Sequence, residues 1–286
     1  MNKTSGGFWR QFSRVIPETE AGDYLFSFLK FIRVHKRLPN RSMTFNDALF
    51  RAKTAPEILN PLRVFLTDKE FFKIFVSAVV GPQYVVPSIG ILRSEEDIDN
   101  FIFPNSFCAK PTHMSGLVSI VDSGSVDLSE LKSWLTMNHY PISRERNYRS
   151  LTPKVIVEPV IFGQKDITDF RIFCFEGKAK LICLDIGKYS DYRRAFYNVN
   201  WERQAYSIGY PIFEDDVPRP RNLEEMISVA ERLSQWVDFV RVDFYTNGDQ
   251  FYLGEITNCH ASASQRFNPL SAESIASSSI FGNIAP

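Results

Sequence analysis

Two predicted β-hairpins in the second half of the chain constrain its fold most. The segments DFRIFCFEGKAKLICLDIG and VRVDFYTNGDQFYLGEI each hold two runs of β-branched and aromatic residues around a short polar turn. Such runs predict antiparallel strand pairs. Between them, NLEEMISVAERLSQWV carries apolar residues at every third or fourth position, which predicts an amphipathic helix. We therefore expect an α+β fold built on antiparallel sheets.

The rest of the chain is predicted to add two further parts. Residues 1–64 form a helical amino-terminal segment, since 21–37 and 44–53 carry apolar residues at helical spacing. Residues 65–160 form an α+β sub-domain that starts with a helix over TDKEFFKIFVSAVVG, capped by Thr67 or Asp68. Short strands and a helix at 127–137 follow. Residues 161–286 carry the two hairpins, separated by a long loop at 187–220 and the helix that follows it.

Composition excludes several classes of function. Lysine plus arginine equals aspartate plus glutamate, at 33 each, so no net charge attracts the chain to nucleic acid or to an anionic membrane. No run approaches the ~20 apolar residues of a spanning helix, and no secretory leader is recognisable. The expected location is therefore the cytoplasm. The four cysteines are widely spaced and form no CxxC motif, which argues against a zinc site and a disulfide framework.

The second hairpin carries two acids, Asp243 and Glu255, whose relative position depends on the turn. A two-residue turn at Asn247 and Gly248 would place them on opposite faces of the ribbon. A three-residue loop that also includes Asp249 would set Asp243 opposite Leu253 and Arg241 opposite Glu255. One face would then carry the four polar residues Arg241, Asp243, Glu255 and Thr257, close enough for two of them to bracket Mg²⁺. The alternative is a pair of solvent-facing acids beside an arginine.

Two charged residues of the middle segment are compatible with nucleotide binding, and each has a structural alternative. Lys110 in FCAKPTHMSG ends a predicted strand, and the loop after it could form a backbone nest for polyphosphate. The alternative is an edge-strand lysine before a turn. Glu158 in KVIVEPVI lies among apolar residues, where an unpaired carboxylate is costly. It requires a donor, which is either an adenine amino group or a nearby Arg or Lys.

Taken in order, these residues resemble the motifs of a known family. Lys110, Glu158, Arg171, Asp243 and Glu255, set in FCAKPTHMSG, PKVIVEP, DFRIFCFEGK, FVRVDFY and FYLGEIT, resemble the TupA-like ATP-grasp proteins of teichuronopeptide and capsular polysaccharide synthesis. The resemblance covers residues 65–282. It implies an ATP-grasp fold, in which two α+β sub-domains grip a nucleotide between antiparallel sheets.

The resemblance also implies a role for each matching residue. Lys110 and Lys69 would hold the phosphates of ATP, Glu158 would meet adenine, and Arg171 would lie near the γ-phosphate. Arg241 would lie near the metal strands. The loop that closes over the phosphates would contain His113, Ser115 and Gly116. The Mg²⁺ ligands would be Asp243, Glu255 and Thr257.

Two positions depart from the family pattern. The second metal strand has Asn258 one place later than usual, so whether Thr257 or Asn258 contacts the metal stays open. Met114 stands where a glycine is common, which would make the phosphate loop less flexible. Of the four histidines, only His113 is predicted to be functional.

The activity implied by the resemblance is ATP-dependent ligation of a carboxylate to an amine through an acyl-phosphate. The expected substrates are a uronic-acid sugar or surface polysaccharide and an amino acid or other amine, with polysaccharide assembly enzymes as partners. Two alternatives stay open, namely a phosphotransferase acting on a sugar hydroxyl and a non-catalytic nucleotide- or glycan-binding module. Candidate contacts for an anionic acceptor, or else solvated surface charges, are Arg144, Arg146, Arg149, Arg193 and Arg194.

Overall fold

The described residues of the amino-terminal part are largely helical, which agrees with the apolar spacing at 21–37 and 44–53. The computed structural model describes residues 15–41, 44–163 and 167–282. The side chain of Thr19 accepts a hydrogen bond from the Gly22 amide and so caps the helix that starts at Glu20. Three helices follow one another in this part: α1 (Glu20–His35), α2 (Phe45–Thr54) and α3 (Pro61–Thr67).

Helix α4 (Lys69–Val79) is the first element of the α+β part and carries two lysines on one face. Of the two predicted caps, Asp68 is the one used, because its side chain accepts hydrogen bonds from the Glu70 and Phe71 amides. Lys69 and Lys73 lie four residues apart, one turn of helix, and therefore share a face of α4.

The first sheet brings a lysine and a glutamate onto one face. Its order is β1-β4-β2-β3, and every pair is antiparallel. Cys108 lies opposite Glu158, so Lys110, two residues along the same strand, is a diagonal neighbour of Glu158. The elements are β1 (Gly90–Leu92), β2 (Ser106–Pro111), β3 (Ser119–Asp122), β4 (Val155–Glu158), with helices α5 (Glu95–Asn100), α6 (Leu128–Trp134) and α7 (Tyr140–Ser143) around them.

The second sheet is larger and is covered on both faces. Apolar side chains of α8 (Leu223–Ser234) fill one face, and residues of α2 and of α9 (Ala272–Phe281) fill the other. The sheet has the order β11-β10-β5-β6-β7-β8. The elements are β5 (Asp169–Phe175), β6 (Lys178–Ile186), β7 (Arg193–Tyr197), β8 (Arg203–Gln204), α8 (Leu223–Ser234), β10 (Phe239–Thr246), β11 (Phe251–Thr257) and α9 (Ala272–Phe281), with β9 (Ser207–Ile208) and β12 (Phe267–Asn268) paired separately.

The prediction of a long loop at 187–220 is wrong, because strands β7, β8 and β9 lie within it. The run RRAFY is only five residues long, but it pairs with the outer edge of β6 from Ile182 to Ile186. A short apolar run becomes a strand here because a neighbouring edge is available to receive its hydrogen bonds.

Neither predicted register of the second hairpin is correct. Thr246 pairs with Phe251, so the loop has four residues, 247–250, and this register alone would set Asp243 opposite Gly254. A β-bulge between Asp243 and Phe244 shifts the pairing by one residue, and Asp243 faces Glu255 instead. The bulge thereby turns both acids to one face. A side chain at position 254 would meet the Tyr245 ring at 2.9 Å, which explains the glycine.

Candidate active site

One cavity of about 600 Å³ gathers most of the predicted site residues. The first sheet contributes Lys110 and Glu158 to its wall, and the second sheet contributes Arg171, Asp243 and Glu255. Further lining comes from the predicted residues Lys69, Ser115, Gly116, Arg241 and Thr257. The proposed phosphate ligands and the proposed metal ligands therefore surround a common space.

The two acids of the hairpin face each other and are held by arginines. Arg241 donates Nε–H to Oδ1 of Asp243 and Nη2–H to Oδ2, both at 2.6 Å. Arg171 Nε lies 3.4 Å from Oδ2 of Asp243. Glu255 lies 3.4 Å from Arg241 Nη2 and 3.9 Å from Lys69 Nζ. The hydroxyl of Thr257 accepts a further bond from Arg241 at 3.0 Å.

Burial and neighbouring charges move the pKa values of the two acids in opposite directions. Burial raises the pKa of Asp243 to about 6, even though Arg241 and Arg171 favour its ionised form. Burial also opposes ionisation of Glu255, but the positive charges of Lys69 and of both arginines outweigh it and lower the pKa to about 2. Both side chains are therefore carboxylates at neutral pH.

Glu158 pairs with lysines of the protein itself. Lys110 donates to its Oε2 at 2.8 Å, and Lys73 forms an ion pair with Oε1. Burial opposes ionisation of Glu158, but the two ammonium groups outweigh it and lower its pKa. The sequence left two kinds of donor open for Glu158, an adenine amino group or a nearby Arg or Lys, and the structure shows lysines. Sequence reasoning missed Lys73, although its position one helical turn after Lys69 was a usable signal.

The loop after β2 is anchored on α4. Lys69 Nζ donates to the Met114 carbonyl at 2.6 Å, and its backbone amide donates to the Thr112 carbonyl at 3.1 Å. Gly116 has a φ of 81°, a conformation that favours glycine, and it lines the cavity together with Ser115. This part of the loop is well placed to face a ligand.

The expectation for His113 requires correction, because its ring is turned into the protein. His113 is 2% exposed. Its Nε2 lies 3.2 Å from the Met137 carbonyl, and its Nδ1 accepts a hydrogen bond from the Lys154 amide at 3.3 Å. Both ring nitrogens are thus occupied, and the side chain is absent from the residues that line the cavity.

The two candidate residues at the end of β11 point in different directions. Thr257 lines the cavity. Asn258 is buried on the other side, where its Oδ1 accepts from Arg63 at 2.9 Å and its Nδ2 donates to the Thr67 hydroxyl at 3.2 Å. Since neighbouring side chains of a strand alternate between faces, only Thr257 is directed at the acids.

Four of the five arginines considered as candidate contacts for an anionic acceptor lie outside the cavity wall. Arg144 bonds Asp23 at 3.0 Å, and Arg146 pairs with Glu20 at 3.0 Å, so both clamp α1 against the α7 region. Arg149 is exposed beside the Tyr140 ring, and Arg193 pairs with its near neighbour Asp191. Arg194 alone of the five lines the cavity, bonded to Asp185 at 2.6 Å.

His260 was read from sequence as a polar loop residue but contacts the site directly. Its Nδ1 is hydrogen-bonded to Nη1 of Arg241, on the side of the guanidinium away from Asp243. Burial, together with the positive charge of Arg241, lowers the pKa of His260 well below its usual range, so the ring is neutral and Nδ1 is the acceptor. His260 therefore helps to fix the orientation of Arg241.

The acids suit a magnesium–nucleotide complex better than a protein-only metal cage. Within the described parts of the chain, no group of three or more His, Cys, Asp and Glu side chains is arranged to hold a metal ion. Magnesium bound with nucleotides takes one or two carboxylates and completes its octahedron with phosphate oxygens and water. Asp243 and Glu255, opposite each other across β10 and β11, supply those two carboxylates.

Two antiparallel sheets, with Lys110 on one and the paired acids on the other around a shared cavity, form an ATP-grasp fold. Comparison with protein-family models identifies the family within the ATP-grasp class. A family model described as TupA-like ATPgrasp matches residues 51–280, and the chain belongs to that family. No helix of the described residues has the length and apolar character needed to cross a membrane.

Solved structures of ATP-grasp ligases resemble this chain distantly. D-alanine–D-alanine ligase from Helicobacter pylori is 16% identical with a TM-score of 0.42, over 78% of this chain and 61% of that one. The Bacillus anthracis enzyme complexed with ATP is 17% identical with a TM-score of 0.41, over 79% and 70%. L-amino acid ligase from Bacillus licheniformis is 15% identical with a TM-score of 0.42, over 77% and 51%. No curated protein sequence matches.

Proposed function

We propose that the protein is an ATP-dependent ligase that joins a carboxylate to an amine through an acyl-phosphate. Its membership of an ATP-grasp family supports this proposal. The observation that carries it is the composition of the cavity wall, where the carboxylates of Asp243 and Glu255 and the cations of Lys69, Lys110 and Arg171 surround the same space. Phosphoryl transfer needs this combination, because catalysis rests on positioning and charge neutralisation.

The proposed binding roles follow the wall of the cavity. Lys69 and Lys110, with the backbone at Ser115 and Gly116, bind the polyphosphate of ATP. Asp243 and Glu255 hold Mg²⁺, assisted by the Thr257 hydroxyl, and the metal supplies neutralisation of the phosphate oxygens. Glu158 holds Lys110 and Lys73 in place beside the nucleotide.

The proposed reaction has two steps. A carboxylate oxygen of the first substrate attacks the γ-phosphorus, and the bond from that phosphorus to the bridging oxygen of ADP breaks. Arg171 offsets the charge that develops on the moving phosphoryl group. The amine then attacks the acyl carbon, phosphate leaves with the electron pair of the broken C–O bond, and the amine proton passes to solvent. Arg241, fixed by Asp243 and His260, orients the acids of the site.

The finer parts of the proposal concern substrates and organisation. We propose a uronic-acid sugar or surface polysaccharide as the carboxylate and an amino acid or other amine as its partner, used in the cytoplasm beside polysaccharide assembly enzymes. We also propose the boundaries 1–64, 65–160 and 161–286 for the helical segment and the two ATP-grasp sub-domains.

A test of the reaction measures ADP and phosphate release with ATP, Mg²⁺, D-glucuronate and glycine. Release that requires both the acid and the amine, with an amide product in the mass spectrum, is the expected result. ADP formation with a sugar alone, giving a phosphorylated sugar, would identify a phosphotransferase instead. Nucleotide binding without turnover over a panel of uronates and amines would identify a binding module.

A further inference from the structure

The amino-terminal helix α1 reaches the candidate active site, although the whole helix lies before residue 51, where the family match starts. Lys30 of α1 lines the same cavity as the acids and the phosphate-site lysines. The helix is held firmly in this position. Both oxygens of Asp23 accept from the Tyr140 hydroxyl at 2.9 Å, and Arg144 donates to Asp23 at 3.0 Å. At its far end, His35 Nε2 contacts the Ala263 carbonyl at 3.0 Å.

Lys30 has no carboxylate partner within ion-pair distance among residues 15–41, 44–163 and 167–282. Its ammonium lies 5.9 Å from the centroid of the Phe26 ring. The neighbouring Lys53 is 2% exposed and donates to the Ser262 hydroxyl at 2.9 Å. The carboxylate that acts most strongly on both lysines is Glu145, which is 5% exposed and whose own pKa is raised by burial. The single carboxylate of Glu145 therefore stabilises the positive charge of both lysines.

The field at this end of the cavity is positive. Burial lowers the pKa of His139 to about 4, and the positive charges of Lys69 and Lys30 reinforce that shift. His139 lines the cavity with Lys30 and Glu145. A cation that is partly removed from water and lacks a counter-ion is costly, and an anionic ligand that enters the cavity relieves this cost.

We propose that Lys30 binds the carboxylate-bearing substrate, so that α1 supplies the anion-recognition end of the cavity. The proposal rests on the proposed ligase function for the reaction itself, and it identifies which side chain selects the acid. The sequence had suggested arginines for this task, but Arg144 and Arg146 are engaged in holding α1 in place. Lys30 faces the cavity and has no ion pair within the part of the chain that the structure describes.

Kinetics provide the first test. With ATP, Mg²⁺ and hydroxylamine as the amine, a uronate yields a hydroxamate that can be measured directly. Lys30→Gln is expected to raise the KM for D-glucuronate by about tenfold or more, because a charge-assisted hydrogen bond is lost. The KM for ATP should change less than twofold, and Lys30→Arg should recover part of the loss. Lys36→Gln, an equal change of charge at the exposed end of α1, is the matched control.

A second test does not depend on turnover and uses the unmodified protein. Acetic anhydride labels accessible lysines, and mass spectrometry gives the extent of labelling at Lys30 and at Lys36. D-Glucuronate should protect Lys30 at least threefold and leave Lys36 unchanged, whereas neutral D-glucose should protect neither. Protection of Lys30 by ATP and Mg²⁺ alone would assign it to the nucleotide and overturn the proposal.

The two tests separate the two levels of inference. Glucuronate-dependent hydroxamate formation with an unchanged KM in Lys30→Gln would overturn the role of Lys30 and leave the ligase proposal standing. Protection of Lys30 by glucuronate without any turnover would support the anion site and argue against the ligase. Absence of protection by both D-glucuronate and D-galacturonate would overturn the assignment of Lys30 to a uronate.

Discussion

The substitution Glu158→Gln tests the ion-pair arrangement at the centre of the first sheet. The Glu158 side chain is 6% exposed and lies between Lys110, at 2.8 Å, and Lys73, whose side chains are 16% and 11% exposed. Glutamine keeps the shape and removes the charge. Two ammonium groups would then lie in a largely buried setting without their shared counter-ion.

The expected loss of stability is substantial. Removing one partner of a buried ion pair costs about 3–5 kcal/mol, because the other charge is left uncompensated. Lys73 also donates to the Val86 carbonyl at 2.7 Å, which softens the loss, so we expect the lower end of that range. At about 2–4 °C per kcal/mol for a protein of this size, the melting temperature should fall by about 6–12 °C.

The pH dependence has a definite sign. The pKa of Glu158 is lowered in the folded protein, so its contribution is fully present above the ordinary pKa of 4.5 and declines as the pH falls below that value. The difference in melting temperature between the parent protein and Glu158→Gln should therefore be largest near pH 7 and smaller near pH 4.

Thermal unfolding followed by circular dichroism measures this effect. Glu231→Gln is the matched control, because Glu231 pairs with Lys178 at 3.1 Å on the surface, where the side chains are 28% and 67% exposed. Such pairs contribute about 0–1 kcal/mol, so the control should melt within about 3 °C of the parent. If Glu158→Gln melts together with Glu231→Gln, the lysines do not depend on Glu158, and the reasoning is refuted.

Three further predictions concern the acids and the amino-terminal clamp. The variants Asp243→Asn and Glu255→Gln should each abolish Mg²⁺-dependent ADP formation and preserve the circular dichroism spectrum. The control Asp249→Asn, in the exposed hairpin loop, should leave turnover unchanged. Undiminished activity in either acid variant would discredit the metal assignment. In nucleotide-free protein, burial raises the pKa of Asp243 from an ordinary 3.8 to about 6, so stability is lost as the pH rises from about 3.8 to about 6, and the loss is complete above that range. The stability of Asp243→Asn relative to the parent should therefore rise by up to about 3 kcal/mol between pH 4 and pH 7 in urea unfolding, and parallel curves would contradict the raised pKa. Arg144→Met should lower the free energy of unfolding by about 3 kcal/mol, because it leaves the buried carboxylate of Asp23 without its cationic partner. The control Arg149→Met changes an exposed site and should stay within about 0.5 kcal/mol of the parent. Equal melting temperatures of the two variants would show that the Arg144–Asp23 pair is not needed for stability.

Much of the fold was predictable because its signals are local. Helix α8 follows from apolar spacing, α4 follows from its Asp68 cap, and the first hairpin turns at Glu176 and Gly177, whose φ values of 50° and 70° suit a two-residue turn. The strands within 187–220 were missed, because short runs such as Arg193–Tyr197 become strands only when a sheet edge receives them.

The candidate site shows the same division between local and long-range information. The sequence indicated which residue types would line it, since Lys110 and the two acids of the hairpin stand at strand positions suited to phosphate and metal. It did not indicate where His113 would point, that Lys30 and His260 would line the cavity, or that Lys73 would pair with Glu158. Those contacts join segments far apart in the chain, and no spacing pattern records them.

By itself, the sequence determined the α+β class, the antiparallel hairpins and the chemical character of the site, because hydrophobic period and residue type act over a few neighbouring positions. The tertiary structure decided which charges meet. A single bulge at Gly254 turns Glu255 to the face of Asp243, and the packing of α1 brings Lys30 to the cavity. The physical reason is that strand register and helix docking depend on the free energy of the whole assembled core, to which distant residues contribute as much as near ones.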